Sequence, residues 1–425
     1  MALLIRHALV EGAESDILIQ GERITQVVPA DSFRFDGRGE LQVIEARGMA
    51  AIPSLVNAHT HSAMTLLRGI AEDMDLMPWL NEAIWPREAR LTAEDVYWGT
   101  RLAAIEMIRA GTTLAADMYF FPEAQAQAAR DSGVRLVIAF PLIDGLDEAR
   151  GLAQQKACDE FFGRLPDCGP VSIFALAGHS VYATSASSWR YIARFAKEHG
   201  LFIHLHLAET ETEDRECRAR TGMSPTAYLD SLGVLGPNTF AAHCLWLDTH
   251  DWDLLAQRNV TVVHNPVSNM KLASGPAFDY EAARRRGVRV LLGTDGAASN
   301  NSLNLFSDMK MAGLLQKHHY KDPKRWPVRE ILAAASRNGH VFFGSGGGRI
   351  EADASADLVL IDLARAEMTP CHDLASNLVY ANASAAIDTT ICAGRVLMLH
   401  GVIKGEKEVR EEAARRAQGL KAIRL

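Results

Sequence analysis

The sequence predicts an α/β chain: a (β/α)8 TIM-type barrel with a small β-sandwich-like module built from both chain ends. Three observations lead there. Eight short apolar runs in the middle of the chain alternate with amphipathic stretches, each long enough for one helix, as parallel strands with helical crossovers do. Those runs stop near His61, Asp117, Phe140, His179, His206, His243, His264 and Asp295, so all but one end on a polar residue. Catalytic groups of such barrels come from the C-terminal ends of the strands, and core packing alone does not explain polar residues there. Both chain ends, by contrast, read as short strands and turns.

In chain order, residues 1–52 form the first part of the module, with strands expected at 3–10, 16–20, 24–28 and 42–45. Residues 53–346 form the barrel, entered by the apolar run 51–58 that leads into His59-Thr60-His61, with a fourth strand expected at 171–179. Residues 347–425 return to the module after Gly346-Gly347-Gly348, with strands around 357–362 and 387–392 and a further apolar stretch at 394–401. The charged tail, residues 406–425, carries Val409, Ala413, Ala414 and Leu420 at intervals, the pattern of a surface helix.

Composition excludes several classes of function. A formal net charge of −8 over 425 residues gives no basic footprint for nucleic acid. The six cysteines (Cys158, Cys168, Cys217, Cys244, Cys371, Cys392) include no Cys-X-X-Cys pair, which argues against a zinc ribbon or a disulfide framework and fits a reducing cytoplasm. No apolar run approaches the length of a membrane span, and the N-terminus lacks the long apolar stretch of a signal peptide. A cytoplasmic protein without nucleic-acid or membrane partners is expected, and a homo-oligomer is compatible with it.

The chemistry is concentrated at the strand ends. Residues two apart on a strand share a face, so His59 and His61 can converge on one ion. His206 and Asp295 complete a metal set of imidazoles and a carboxylate, with a position left for water. A divalent metal acidifies such a water towards neutrality. Glu209, in His206-Leu207-Ala208-Glu209, is placed to carry protons, whereas Glu211 and Glu213 read as solvated acids of an acidic stretch. His243 can hydrogen-bond the nucleophile, and His264 has a structural or outer role. His204 shares a face with His206. No lysine lies in or beside 171–179, so one metal per chain is expected, zinc first, with iron(II) or manganese(II) as alternatives.

With these residues in hand, the chain resembles the amidohydrolase superfamily along nearly its whole length, and within it the 5'-methylthioadenosine/S-adenosylhomocysteine deaminases. The matches are His59-Thr60-His61-Ser62-Ala63-Met64 with Leu67-Arg68-Gly69, Trp79-Leu80 with Ile84-Trp85-Pro86-Arg87-Glu88, and His206-Leu207-Ala208-Glu209-Thr210. They continue in the run from His264-Asn265-Pro266 through Ser268-Asn269-Met270-Lys271-Leu272-Ala273-Ser274-Gly275, and in Gly293-Thr294-Asp295-Gly296-Ala297-Ala298-Ser299-Asn300-Asn301. The resemblance implies hydrolytic loss of the 6-amino group of an adenine nucleoside. Glu88 would hold the ribose hydroxyls, Trp79 and His179 would contact the substrate, Glu209 would protonate the purine ring nitrogen, and Asp295 would accept the proton of the attacking water. The chain reads Gly178-His179-Ser180-Val181-Tyr182 where such relatives usually read Pro-His-Ala-Pro-Tyr, so the nucleoside pocket differs there. Arg150 is a candidate for the arginine that such enzymes direct at an amino-acid carboxylate. Open alternatives are a deaminase or chlorohydrolase of another heterocycle (a guanine-type base, a pterin, an s-triazine), an aminodeoxyfutalosine deaminase and a non-catalytic barrel scaffold.

Overall fold

A computed structural model describes residues 2–34, 40–164 and 172–421. Cys168, Val171 at the start of the expected fourth barrel strand, and residues 422–425 of the expected tail helix lie outside the described residues.

The chain opens with β1 (Ala2–Val10), β2 (Ala13–Gln20), β3 (Arg23–Pro29), β4 (Leu41–Glu45) and β5 (Met49–Pro53). The apolar run before His59-Thr60-His61, read from the sequence as one strand, is two strands in two sheets. β5 pairs with the module, and β6 (Leu55–Thr60) starts the barrel. Pro53 has no N–H to carry the ladder onward. Ser54 marks the switch: its hydroxyl meets Thr113 Oγ1 at 2.6 Å, and its carbonyl accepts from Ser336 Oγ at 2.6 Å.

Seven further parallel strands follow: β7 (Thr112–Met118), β8 (Arg135–Leu142), β9 (Ser172–Gly178), β10 (Phe202–Leu207), β11 (Thr239–His243), β12 (Thr261–His264) and β13 (Val290–Leu292). They pair in chain order from β6 to β13, so every strand end expected from the sequence falls within three residues of an observed one. Their side chains alternate as a two-sided buried sheet requires. Val56, Ala58, Leu114, Ala116, Val137, Ala139, Ala175, Ala177 and Leu291 fill the interior, floored by Phe240, Phe342 and Phe343. Leu55, Leu136, Ile138, Leu176, Ile203, Leu205 and Leu292 face the helices.

Among the described residues no ladder joins β13 to β6; the seam is closed by clips. Asp295 N–H donates to His59 O at 3.0 Å. Asn57 Oδ1 accepts from Thr294 N–H at 3.0 Å, and Asn57 Nδ2 donates to Thr294 Oγ1 at 2.7 Å. The approach is close enough that a Cβ on Gly293 would lie 2.5 Å from Asn265 Oδ1 and 2.9 Å from His59 N, so only glycine fits.

The chain then returns to the module as β14 (Leu358–Asp362), β15 (Ile387–Cys392) and β16 (Arg395–Met398), giving the sheet order β16-β15-β14-β5-β1-β2-β3 with β4 added beside β1. The two chain ends interleave, since β14 pairs with β5 on one side and β15 on the other. Ile5, Ile17, Ile19, Ile24, Leu358, Leu360 and Ile391 form the module's own core. The terminal helix Glu406–Lys421 is docked rather than free. Val409, Ala413 and Leu420 are buried, and it packs on the helix Ala93–Arg109 and the short helix Ser62–Leu67 that follows His61. Arg416 fastens it to Asp95 at 2.8 Å. Among the described residues, no helix is long and apolar enough to cross a membrane.

Module and barrel meet at a buried ion pair. Arg135, the first residue of β8, places Nη1 at 2.7 Å from both carboxylate oxygens of Asp357, and the two side chains are 6% and 0% exposed. Removing one partner leaves the other charge buried without compensation. Arg135→Met is therefore expected to cost about 3–5 kcal/mol of unfolding free energy. The check is a lowered urea midpoint at unchanged slope.

Candidate metal centre and active site

The strand ends deliver one cluster. His59 and His61 leave β6, where the pairing with β7 slips between Asn57 and Thr60. This bulge moves the inward face from Val56 and Ala58 to His59, so that both histidines point into the barrel mouth. His206 comes from β10, His243 from β11, and Asp295 from the loop after β13. Asp295 Oδ1 lies 3.3 Å from both His59 Nε2 and His61 Nε2, and His61 Nε2 lies 3.3 Å from His206 Nε2. The ligand atoms of His59, His206, His243 and Asp295 all fall within 4.8 Å of one another.

The donor chemistry fits a divalent cation. His61 Nδ1 donates to Met118 O at 2.7 Å and His206 Nδ1 to His179 O at 2.8 Å, so in each neutral ring the proton sits on Nδ1 and the Nε2 lone pair faces the centre. Carbonyl oxygens can only accept, which settles the tautomers. His59 Nδ1 bonds His204 Nε2 at 2.7 Å, while its buried Nε2 has no hydrogen-bond partner. Lone pairs and a carboxylate facing one point require a positive charge between them. Donors bound at about 2.0–2.1 Å around a tetrahedral ion stand roughly 3.3 Å apart, the spacing found here. The cluster has the chemistry to hold a divalent metal.

Burial would raise Asp295, but the facing imidazoles of His59 and His61 outweigh it and hold the carboxyl well below its usual range. Burial would lower His61, but Asp295 draws it up to about 9, so a proton on Nε2 competes with a cation for the place facing Asp295. The second carboxylate oxygen of Asp295 accepts from Ser268 Oγ at 2.6 Å and Ser299 Oγ at 2.8 Å. His243 and Asp295 adopt left-handed backbone, with φ of 73° and 62°, and so does Ala208 at 48°. Such strain outside glycine clusters where a site must be preorganised.

Above the cluster opens a cavity of about 1110 Å³, lined by His61, His179, His206, Glu209, His243 and Asp295 at its base and by Trp79, Trp85, Glu88 and Leu272 on its walls. Glu209 is buried, with Oε2 3.8 Å from His243 Nε2 and Oε1 3.4 Å from Ser274 Oγ. Burial raises its carboxyl above the ordinary value. The same holds for Glu88, offset in part by Tyr119 and His61. The His179 ring lies tilted beside His206 with centroids 4.4 Å apart and stays neutral, lowered by burial to about 3. Trp79 reaches the wall from a π-helical turn, Trp79–Ile84, a wide and uncommon conformation often found at functional sites. Arg150 lies at the rim, and its side chain is exposed. His264 stands apart from the cluster, stacked on Phe278 at 4.6 Å.

Several partners of the cluster were not recognised from the sequence as functional. Asn269 Oδ1 accepts from His243 Nδ1 at 2.7 Å, and with Ser268 and Ser274 it gives a mechanical meaning to the block after His264. Glu213 corrects an expectation. It is not a solvated acid but a buried one, 3% exposed, and lines the cavity. Its place three residues after Thr210 was the available signal, because an acid in the first turn of a helix folds back over the cap.

Comparisons with known proteins follow the same lines. Residues 50–397 match the model of the amidohydrolase family. A 5'-deoxyadenosine deaminase of Methanoregula boonei is 44% identical over 95% of this chain and 92% of its own. A 5-methylthioadenosine/S-adenosylhomocysteine deaminase of Archaeoglobus fulgidus is 39% identical over 96% of this chain and 94% of its own. The crystal structure of an adenosine deaminase from Xanthomonas campestris with bound zinc superposes with a TM-score of 0.90 at 32% identity, covering 99% of both chains. By the match across most of its length, by its barrel and by the imidazole-carboxylate centre at the strand ends, the chain belongs to the amidohydrolase family.

Proposed function

We propose that the protein is a zinc-dependent hydrolytic deaminase of adenine nucleosides with small or apolar 5' groups, releasing ammonia and the inosine analogue. The observation that carries this reading is a buried carboxylic acid, Glu209, poised beside His243 and the His59–His61–His206–Asp295 set at the floor of a cavity with a second buried acid, Glu88, in its wall. The deaminase relatives support the class of reaction, and the apolar wall of Leu76, Met77, Trp79, Trp85 and Ile143 supports the apolar 5' group. His59, His61, His206 and Asp295 would hold a divalent ion, which would supply a water acidified to near neutrality.

The residues divide the proton work. Glu209, whose proton affinity burial raises, gives a proton to the ring nitrogen beside C6, which makes C6 electrophilic. Asp295 takes a proton from the attacking water while Ser268 and Ser299 hold its other oxygen. His243, oriented by Asn269, hydrogen-bonds the developing tetrahedral centre. The C6 hydroxyl then returns a proton to Glu209, and Asp295 passes its proton to the departing amine. Glu88 grips the ribose hydroxyls, and Trp79 and His179 pack around the nucleoside.

Three outcomes follow. Elemental analysis should find one metal per chain in the wild type and a severe loss in His206→Ala, since removing one imidazole opens a small ligand set; two tightly held ions per chain, or full occupancy in the variant, would overturn the ligand assignment. Glu209→Gln should retain metal and lose about 10²- to 10⁴-fold in kcat; turnover within a few-fold of wild type would remove Glu209 from the reaction. Charge-assisted hydrogen bonds from ribose to Glu88 are worth about 1.5–3 kcal/mol each, so Glu88→Ala should lower kcat/KM for nucleosides roughly ten- to a hundred-fold with metal content intact. Ammonia release from 5'-methylthioadenosine, adenosine, 2',3'-dideoxyadenosine, adenine and guanine checks it. Free bases reacting as well as nucleosides would instead favour a heterocycle deaminase.

A further inference from the structure

Glu213 sits in the first turn of the helix Glu211–Thr221, whose N-cap Thr210 accepts the Glu213 N–H at 3.2 Å. An acid at this position ordinarily reaches back to the N–H of the cap itself. Here it reaches further. Glu213 Oε2 accepts from the Glu209 N–H at 2.8 Å and Oε1 from the Ala208 N–H at 3.3 Å. Ala208 has φ of 48°, a left-handed conformation that its Cβ disfavours, so this turn needs external support. Its carbonyl is held from the opposite side by the N–H groups of Leu245 at 3.0 Å and Trp246 at 2.9 Å. The peptide that aims Glu209 is thus pinned at both edges, and Glu213 is the one side chain among these pins.

We infer that Glu213 is a positioning residue for the reaction: its carboxyl clamps the Ala208–Glu209 turn so that Glu209 points across the cavity floor towards His243. This rests on the reading of Glu209 as the proton carrier. Burial pushes Glu213 up to about 8, consistent with an acid that serves as a neutral clamp at neutral pH rather than as a charge. Glu213→Gln keeps the shape and one acceptor for the shorter bond. Glu213→Ala removes both acceptors and leaves two buried N–H groups unmatched.

The test is a double-mutant cycle with Glu209, read as kcat, KM, metal content and thermal midpoint on the full chain. Displacing a reacting group by about 1 Å can cost 10²-fold, so Glu213→Ala should lose about 10- to 100-fold in kcat with KM and metal content little changed. Glu213→Gln should recover most of that loss. On a Glu209→Gln background, Glu213→Ala should cost almost nothing more, because it acts through the group already removed. Full additivity of the two losses would overturn the inference, as would a rise in KM at unchanged kcat, which marks a substrate contact, or a loss explained by missing metal. Should Glu213→Ala fail to fold, the cycle is read with Glu213→Gln, where a smaller but still non-additive loss is expected and an additive one refutes the clamp. If Glu209→Gln itself keeps wild-type turnover, the proton-carrier reading fails first, and the two failures stay distinct.

Discussion

Asp295 is the point at which closure of the barrel and assembly of the site become one event. Its N–H donates to His59 O and bridges the seam that no strand ladder joins, and its Oδ1 faces the Nε2 atoms of His59 and His61 at 3.3 Å each. A carboxylate this buried is tolerable only with cationic or hydrogen-bonding partners on every side. It has both: the imidazole cluster in front, and the hydroxyls of Ser268 and Ser299 behind. The left-handed backbone at Asp295 is one cost of placing main chain and side chain together there, of order ~1–3 kcal/mol. That cost is offset by packing elsewhere.

Around this point the site is built in layers. His61 and His206 are oriented by carbonyls, His59 by His204, and His243 by Asn269, so each ring presents a defined nitrogen before any ion arrives. Preorganisation of this kind fixes lone pairs, and with them the charge the site accepts. The carboxyl groups of Glu209 and Glu88 belong to a different regime. Burial raises both above the ordinary carboxylate value, in Glu88 against the opposing pull of Tyr119 and His61. One cavity therefore holds a carboxylate whose proton affinity is lowered in its floor and two whose proton affinity burial raises, separated by what each one touches.

The ends of the chain support this arrangement from outside. β5 and β14 join the module next to the strand that becomes β6, and the buried Arg135–Asp357 pair ties the base of β8 to the module. The terminal helix presses Ala413 and Leu420 into the cluster that contains Met64, Leu67, Trp79 and Leu80, the segment between His61 and Glu88. Residues far apart in sequence thus brace the wall through which a nucleoside would be held.

The barrel rhythm, the strand ends and His59, His61, His206, His243, Glu209 and Asp295 were legible in the sequence, because short-range patterns determine them: apolar periodicity marks strands, and polar residues at their C-terminal ends stand out against it. Three things were not. The split of the run before His59 into two strands is invisible to hydrophobicity, since both sheets bury both faces and only Pro53-Ser54 marks the junction. The burial of Glu213 was hidden in an acidic run, because composition cannot tell which acid faces inward. The roles of Ser268, Asn269, Ser274 and Ser299 depend on contacts with side chains 25 or more residues away, apart from the local bond of Ser299 to Asp295. The sequence by itself determined which residues could do chemistry. Tertiary structure decided which way each one points and what it is hydrogen-bonded to, because tautomer, proton affinity and strain are set by neighbours that only the closed barrel brings together.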